Sequence, residues 1–288
     1  MRVSGRCEQR EAPLTTAGAV TSSTFMAGDG DGYERQMGRW SRKLAPLFID
    51  FAGMRDGEHV LDVGCGTGSL AFTLAQNPHV KGISAVDFSP IYIEHAARLN
   101  TDPRIRFQAA DACALPFDDA TFDHCASLLV LAFVPQVDLA VREMRRVTRP
   151  GGTVAGAMWD TRGGLVIYRI FWDTAAMLDQ RAVERRAKGC SRPMTRPGDL
   201  ARAWLDAGFQ DVVDDMITIR MDFASFEDFW TPFEGKDGGF AEYVGTLSIE
   251  GKNKLRDALR LAYLDGEIDG ARSYAATAWV VKGRVPEE

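Results

Sequence analysis

The chain has 288 residues, 45% of them hydrophobic and 26% charged, with a formal net charge of −6. That suits one large domain with a sizeable core, or one domain with an inserted lid. The acidic balance excludes a whole-molecule field that draws nucleic acid or anionic membrane, although a local basic patch stays compatible with it.

No apolar run nears the roughly 18 residues of a membrane span. Arg2 and Arg6 have no apolar segment behind them, so no secretory signal is expected. The five cysteines (Cys7, Cys65, Cys113, Cys125 and Cys190) lack metal-ligand spacing and suit reduced thiols in a cytoplasm. His59, His79, His95 and His124 form no metal cluster with acidic or sulfur ligands, so no metal is expected.

Residues 1–32 are rich in Gly, Ser, Thr and Ala and read as a mobile tail. Met26 is an alternative start, which would place residues 1–25 outside the native protein. Met37, Trp40, Leu44, Leu47, Phe48 and Phe51 recur at helical spacing and predict a helix over 33–52, with Trp40 in its core stripe. Strands follow near 59–64, 82–87, 104–110, 122–130 and 153–159. Helices are expected near 67–76, 89–100 and 138–148. Ser89-Pro90 is a helix start, and Pro150-Gly151-Gly152 a stop before the fifth strand. The alternation predicts an α/β fold with a mostly parallel sheet wrapped on both faces. Beyond Asp160 come helical segments near 164–179 and 199–209, a strand at 212–223, an aromatic helical stretch at 225–265, and a last strand at 273–283.

The densest signal is Val60-Leu-Asp-Val-Gly-Cys-Gly-Thr-Gly-Ser-Leu70, a strand running through a glycine turn into a helix. Such a turn lets bare backbone approach a ligand, and the helix behind it presents unpaired N–H groups. The bland alternative is a tight turn that binds nothing. A dinucleotide site wants G-x-G-x-x-G and an acid about 20 residues on. Asp87 has that spacing, but position 69 is Ser and the glycine sits at 68.

Several separate stretches resemble the class I S-adenosylmethionine-dependent methyltransferase family, closest to its branch of quinone and small-molecule enzymes. Val60–Gly68 resembles the first motif and Ala-Val-Asp-Phe-Ser-Pro (85–90) the second. Gln108–Phe117 resembles the third, Phe122–Val130 the fourth strand, and Arg146–Val154 the turn into the fifth. Together they span roughly residues 33–160. Tyr33-Glu-Arg-Gln-Met-Gly-Arg-Trp-Ser-Arg42 also looks like a segment found in some members. The resemblance implies a Rossmann-like fold with a seven-stranded sheet. It also implies a methyltransferase domain over 33–288, with helical lid segments at about 161–197 and 224–265.

It further implies S-adenosylmethionine as cofactor. The backbone of Gly64, Cys65, Gly66 and Gly68 would approach the methionine part, and Asp62 would pair with the ammonium group. Asp87 would accept both ribose hydroxyls, as a carboxylate with two acceptor oxygens can. Phe88 would pack on adenine, Asp111 would accept from the adenine amine, and the Ala112 N–H would serve a ring nitrogen. Ser127 and Leu128 would lie near the methyl-transfer edge, and Arg39 would pair with the methionine carboxylate. Each acid has a plainer role open to it: Asp62 as a turn cap, Asp87 as support for the Ser89 cap, Asp111 as a turn residue. Arg39 fits a solvated helix face equally.

A sulfonium methyl is already electrophilic, so alignment and exclusion of water suffice and no triad is needed. Tyr33 and Asp160 are the candidate bases for an acidic acceptor. The aromatics of 161–197 and 224–265 suggest an apolar pocket for a small lipophilic or aromatic acceptor, or else simply lid packing. The expected partner is that small molecule, with no nucleic acid, and the protein a monomer or homodimer. An NAD enzyme, a cofactor sensor, or a protein or nucleic-acid methyltransferase are the competing readings.

Overall fold

The computed structural model describes residues 23–25 and 27–287. The proposed start at Met26 and the character of 1–22 lie outside the described residues. Seven strands form one sheet: β1 (His59–Val63), β2 (Gly82–Asp87), β3 (Ile105–Ala109), β4 (Phe122–Leu128), β5 (Thr148–Trp159), β6 (Gln210–Phe223) and β7 (Arg272–Arg284). Their order is β3-β2-β1-β4-β5-β7-β6. The first five pair in parallel, and β7 runs antiparallel between β5 and β6. β1 is central and buried on both faces, which is why it reads as a near-continuous apolar run. Its one fully buried polar residue is Asp62, in register with Ala85 and Ala126 of the flanking strands.

Strand alternation splits the core in two. Val60, Ala85 and Ala126 face one layer with α2 (Arg39–Ala52), α3 (Ser69–Ala75) and the later helices α6 (Val166–Leu178), α9 (Phe226–Trp230), α10 (Gly238–Gly245) and α11 (Ile249–Leu264). Leu61, Val63 and Cys125 face the other, with α5 (Val137–Val147) and α8 (Asp199–Asp206). The remaining helices are α1 (Gly30–Tyr33), α4 (Pro90–Leu99) and α7 (Gln180–Cys190). Ser89 caps α4 as expected, its hydroxyl accepting the Tyr92 N–H at 3.4 Å with Pro90 in the first turn. Trp40 is buried in the core, 3% exposed.

Three expectations change. The fifth strand begins at Thr148, before Pro150-Gly151-Gly152, because its pairing jumps from Phe122↔Thr148 to His124↔Thr153. The Pro-Gly-Gly stretch is therefore a bulge inside the strand, with Gly151 at φ +72°. The leading helix starts at Gly30 and passes through a π-helical turn, Glu34–Gly38, before α2. The tail boundary at 32 is also too late: the Thr24 N–H donates to the Phe133 carbonyl at 2.8 Å, and Gly30 and Gly32 are buried.

The aromatics of the lid segments pack on one another. Phe171 lies 4.8 Å from Phe233 and 4.7 Å from Phe240 between ring centroids, and Trp172 stacks on Phe240 at 5.7 Å. Phe229, Trp230 and Tyr243 join them, all buried. These rings share one buried layer with α2 and α3.

Candidate functional site

The glycine turn leaves β1 at the carboxyl edge of the sheet, where open α/β sheets place their ligands. It is tied to β2 from the start: the N–H groups of Gly64 and Cys65 donate to the Val86 carbonyl at 2.7 and 2.9 Å. Gly66 then donates to Asp87 Oδ2 at 2.8 Å, and Gly68 to the Cys65 carbonyl at 2.9 Å. Gly66 has φ +53°, and a Cβ built there would meet nothing within 4 Å. Gly64 has φ +76°, and a Cβ there would stand 2.4 Å from Val130. Val130 is brought in by Leu129, a non-glycine residue at φ +67° that turns the chain sharply out of β4. The two glycines thus do different work: Gly64 admits the neighbouring loop, and Gly66 opens onto free space.

Asp62 is fully buried, and among the described residues neither carboxylate oxygen makes a well-formed hydrogen bond, the Ala71 N–H lying close without completing one. Burial, reinforced by the nearby Asp87 charge and only partly offset by the Ala71 backbone, pushes its carboxyl up to about 8. An unpartnered buried carboxylate is costly, and a ligand cation is the natural remedy. Asp87, at the end of β2, is also raised by burial, with the N–H groups of Ser89 (2.8 Å) and Gly66 pulling it back. Each of its oxygens accepts one protein N–H and keeps further lone-pair capacity. The Ala110 N–H donates to the Asp87 carbonyl at 2.9 Å and so brings Asp111 beside the same edge. Asp111 Oδ1 accepts the Cys113 N–H at 2.8 Å. Phe88 is 51% exposed, an open ring face next to Asp87.

The amino-terminal segment lies across this edge. Glu34, in the π-turn, accepts the Thr67 hydroxyl from the glycine turn and pairs with Arg42. Its side chain folds over Gly38, where a Cβ would stand 2.5 Å from the carboxylate. Phe25 packs edge-on against Phe133 at 5.1 Å and beside Tyr33 and Tyr92. Asp237, 1% exposed and just before α10, accepts the N–H groups of Gly28 (2.7 Å) and Asp29 (3.1 Å) and the Tyr92 hydroxyl (2.9 Å). Glu34, Thr67, Tyr92 and Asp237 escaped the reading of the sequence. The one available signal was Glu34 inside the 33–42 segment, without a role attached.

The expected site residues therefore separate. Asp62, Gly64, Cys65, Gly66, Gly68, Asp87 and Phe88 lie at or just past the carboxyl ends of β1 and β2, Asp111 and Ala112 just past that of β3, and Leu128 ends β4. Asp87 and Asp111 also perform the turn and cap duties open to them. Ser127 does not join by its side chain. It shares a strand face with Cys125, in the layer of α5 and α8, and is fully buried with an unpartnered hydroxyl. Arg39 does not reach the turn either. Its guanidinium pairs with Asp228 at 2.8 Å and lies over Trp40 (4.3 Å) and Phe223 (5.0 Å). Asp160 closes its own turn, accepting the N–H groups of Arg162 (3.0 Å) and Gly163 (3.1 Å). Tyr33 lies beside Asp87 and Tyr92, and burial, first, with the neighbouring acids outweighing a Ser41 hydrogen bond, pushes its phenol up to about 12, away from the range of a general base. His124 is a packed histidine, 3.3 Å from Glu58.

Residues 61–156 match the family described as a methyltransferase domain. The chain is 34% identical over 152 residues to a malonyl-[acyl-carrier protein] O-methyltransferase of Erwinia pyrifoliae, covering 53% of this chain and 56% of that one. It is 33% identical over 128 residues to a 2-methyl-6-phytyl-1,4-hydroquinone methyltransferase of Synechocystis, covering 43% and 40%. The chain thus spans about half the length of the curated relatives it matches. The fold is shared with the crystal structure of a putative methyltransferase from Bacillus halodurans, with TM-score 0.55, 18% identity, and 84% and 98% of the two chains covered.

Proposed function

The chain carries a methyltransferase domain of the class I S-adenosylmethionine-dependent family, and on that premise we propose that it moves a methyl group from S-adenosylmethionine to a small, apolar or aromatic molecule. The observation that carries the reading is the Asp62 carboxylate, buried without a partner beside a turn whose Gly66 has open space where a side chain would be. A bound ammonium group supplies the positive counter-charge that lets Asp62 ionise.

The residues at the edge fit the rest of that ligand. Asp87 has lone pairs left on both oxygens for a ribose diol, and Phe88 offers an uncovered ring face for a base. Asp111 keeps a second oxygen for an exocyclic amine. S-adenosylmethionine supplies an electrophilic methyl on sulfur when bound there. The protein's part is to hold it, orient the acceptor in line with the methyl–sulfur bond and keep water out. With Tyr33 protonated and Asp160 engaged in a turn, alignment rather than a strong base does the work. An acceptor whose reacting atom is already nucleophilic suits that best.

Two features support a small acceptor. The aromatic set Phe25, Tyr33, Tyr92 and Phe133 packs together beside Asp87, and the net charge of −6 does not favour a polyanion.

The reading is tested by calorimetric titration with S-adenosylmethionine, S-adenosylhomocysteine and NAD, followed by a screen of quinones, phenols, amines and fatty acids for S-adenosylhomocysteine release. Binding of the two adenosyl compounds and turnover with one acceptor class is expected. Tight binding of NAD alone overturns it.

A further inference from the structure

The Asp237 carboxylate stands at the amino-terminal cap position of α10, where an aspartate ordinarily accepts N–H groups of its own helix. It does not do so: no side-chain cap bond is made there. Its oxygens are spent instead on residues more than two hundred positions earlier. Oδ1 accepts Gly28 at 2.7 Å and Asp29 at 3.1 Å, and Oδ2 accepts Asp29 again at 3.1 Å. Oδ1 also takes the Tyr92 hydroxyl at 2.9 Å, and burial together with this acid holds that phenol well above its usual value. One buried carboxylate thus joins three pieces of chain: the amino-terminal segment, the lid helix α10, and α4 just beyond Asp87 and Phe88.

The segment it holds, Gly28–Gly38, touches the other side of the crevice through Glu34 and Thr67. A Cβ at Gly32 would stand 2.7 Å from Asp237 Oδ2, so a side chain there would displace the carboxylate. The strap is therefore fastened at two ends, to the glycine turn through Glu34 and to α10 and α4 through Asp237 and Tyr92, with Gly30 packed on His95 of α4. Tyr33, within it, lies beside Asp87 and Tyr92. On the cofactor reading, a ligand that reaches both Asp62 and Asp87 has to pass the strap on entry and exit.

Resting on the cofactor reading above, we propose that Asp237 is a positioning residue that latches the Gly28–Gly38 strap over the crevice, and that release of this latch sets the rate of cofactor exchange. The Glu34 contact fixes where the strap lies, and the Asp237 contact fixes how long it stays.

The geometry offers a reversible test. A Cβ built on Gly28 would lie 3.1 Å from Lys236 Cβ and 3.0 Å from the Lys236 carbonyl oxygen, so the pair is adjacent and a small outward shift of the strap reaches the roughly 3.5–4.5 Å a disulfide needs. In the full chain carrying Gly28→Cys and Lys236→Cys, oxidation staples the strap shut and dithiothreitol frees it, with the bond checked by intact mass. Bound S-adenosylhomocysteine, loaded under reducing conditions, is expected to dissociate at least tenfold more slowly in the oxidised protein, and at the wild-type rate once reduced. Asp237→Ala is expected to speed dissociation about tenfold, with Asp237→Asn, which keeps one acceptor oxygen, in between. Equal exchange rates in the stapled and reduced protein overturn the latch even if Asp237→Ala fails to fold. Failure of the wild type to bind either adenosyl compound overturns the cofactor reading instead.

Discussion

Asp87 Oδ2 accepts the Gly66 N–H at 2.8 Å, which ties the acid at the end of β2 to the bare centre of the glycine turn. The second oxygen accepts Ser89 at 2.8 Å and so fixes the start of α4. The carboxylate is thus set before any ligand arrives, and a diol needs only to find its remaining lone pairs. Asp87→Ala is expected to weaken S-adenosylmethionine binding by about 1–3 kcal/mol, read by calorimetry, with a smaller loss of melting temperature from the two freed N–H groups. Undiminished affinity removes Asp87 from the site.

Asp62 makes the site pH-dependent. Its folded carboxyl is raised to about 8, against about 4 in an unfolded chain. Between those values the folded state holds a proton that the unfolded state has lost. This group therefore lowers stability as pH rises through that window, and its cost is complete above about 8. Asp62→Asn is expected to abolish this part of the decline, so the unliganded variant melts higher than wild type at pH 8 and close to it at pH 5. Binding of a cationic ligand reverses the preference. Wild-type affinity for S-adenosylmethionine should rise towards pH 8 and release a proton below it, seen by calorimetry in buffers of different ionisation enthalpy. Identical pH profiles for wild type and Asp62→Asn contradict this.

Gly64 and Gly66 separate folding from binding. Alanine at 64 meets Val130 at 2.4 Å with φ +76°, and its main effect should be on stability. Alanine at 66 meets no protein atom and carries only the left-handed backbone cost of about 1–2 kcal/mol. Its methyl group fills the space a ligand would use, so cofactor affinity should fall at least tenfold while the protein stays folded. Paired melting and titration curves decide. A Gly66→Ala protein that binds normally shows that the ligand does not approach this backbone.

What could be read from the sequence was what is local in it. Val60–Ser69 declares its strand, turn and helix through neighbours alone, and Asp87 and Asp111 follow from lying at strand ends. Ser127 lies near the carboxyl end of β4 as its place in the chain implies, and alternation from Cys125 turns its hydroxyl toward the layer of α5 and α8. The lid aromatics were ambiguous for a physical reason: rings that pack on one another and rings that line a pocket have the same composition. Asp237 was beyond reach because its bond to Gly28 spans 209 positions and that between Glu34 and Thr67 spans 33. No spacing rule links such pairs. Arg39 was assigned by its place before β1, and only the fold reveals Asp228 as its partner.

Arg39 gives the sharpest contrast between support and binding. Its guanidinium bonds Asp228 at 2.8 Å and stacks over Trp40 and Phe223, while both side chains stay about a third exposed. A screened pair of this kind is worth up to about 1 kcal/mol, and a cation over an aromatic ring about 0.5–1 kcal/mol. Arg39→Met keeps the stem and loses the charge. It should lower unfolding free energy by about 1–2 kcal/mol in urea titration. Asp228 retains the Ala224 N–H at 3.0 Å and is not left bare. Because the guanidinium is turned to Asp228 rather than to the glycine turn, affinity for S-adenosylmethionine should change less than twofold. A large loss of affinity with an unchanged urea midpoint would instead return Arg39 to the cofactor's carboxylate.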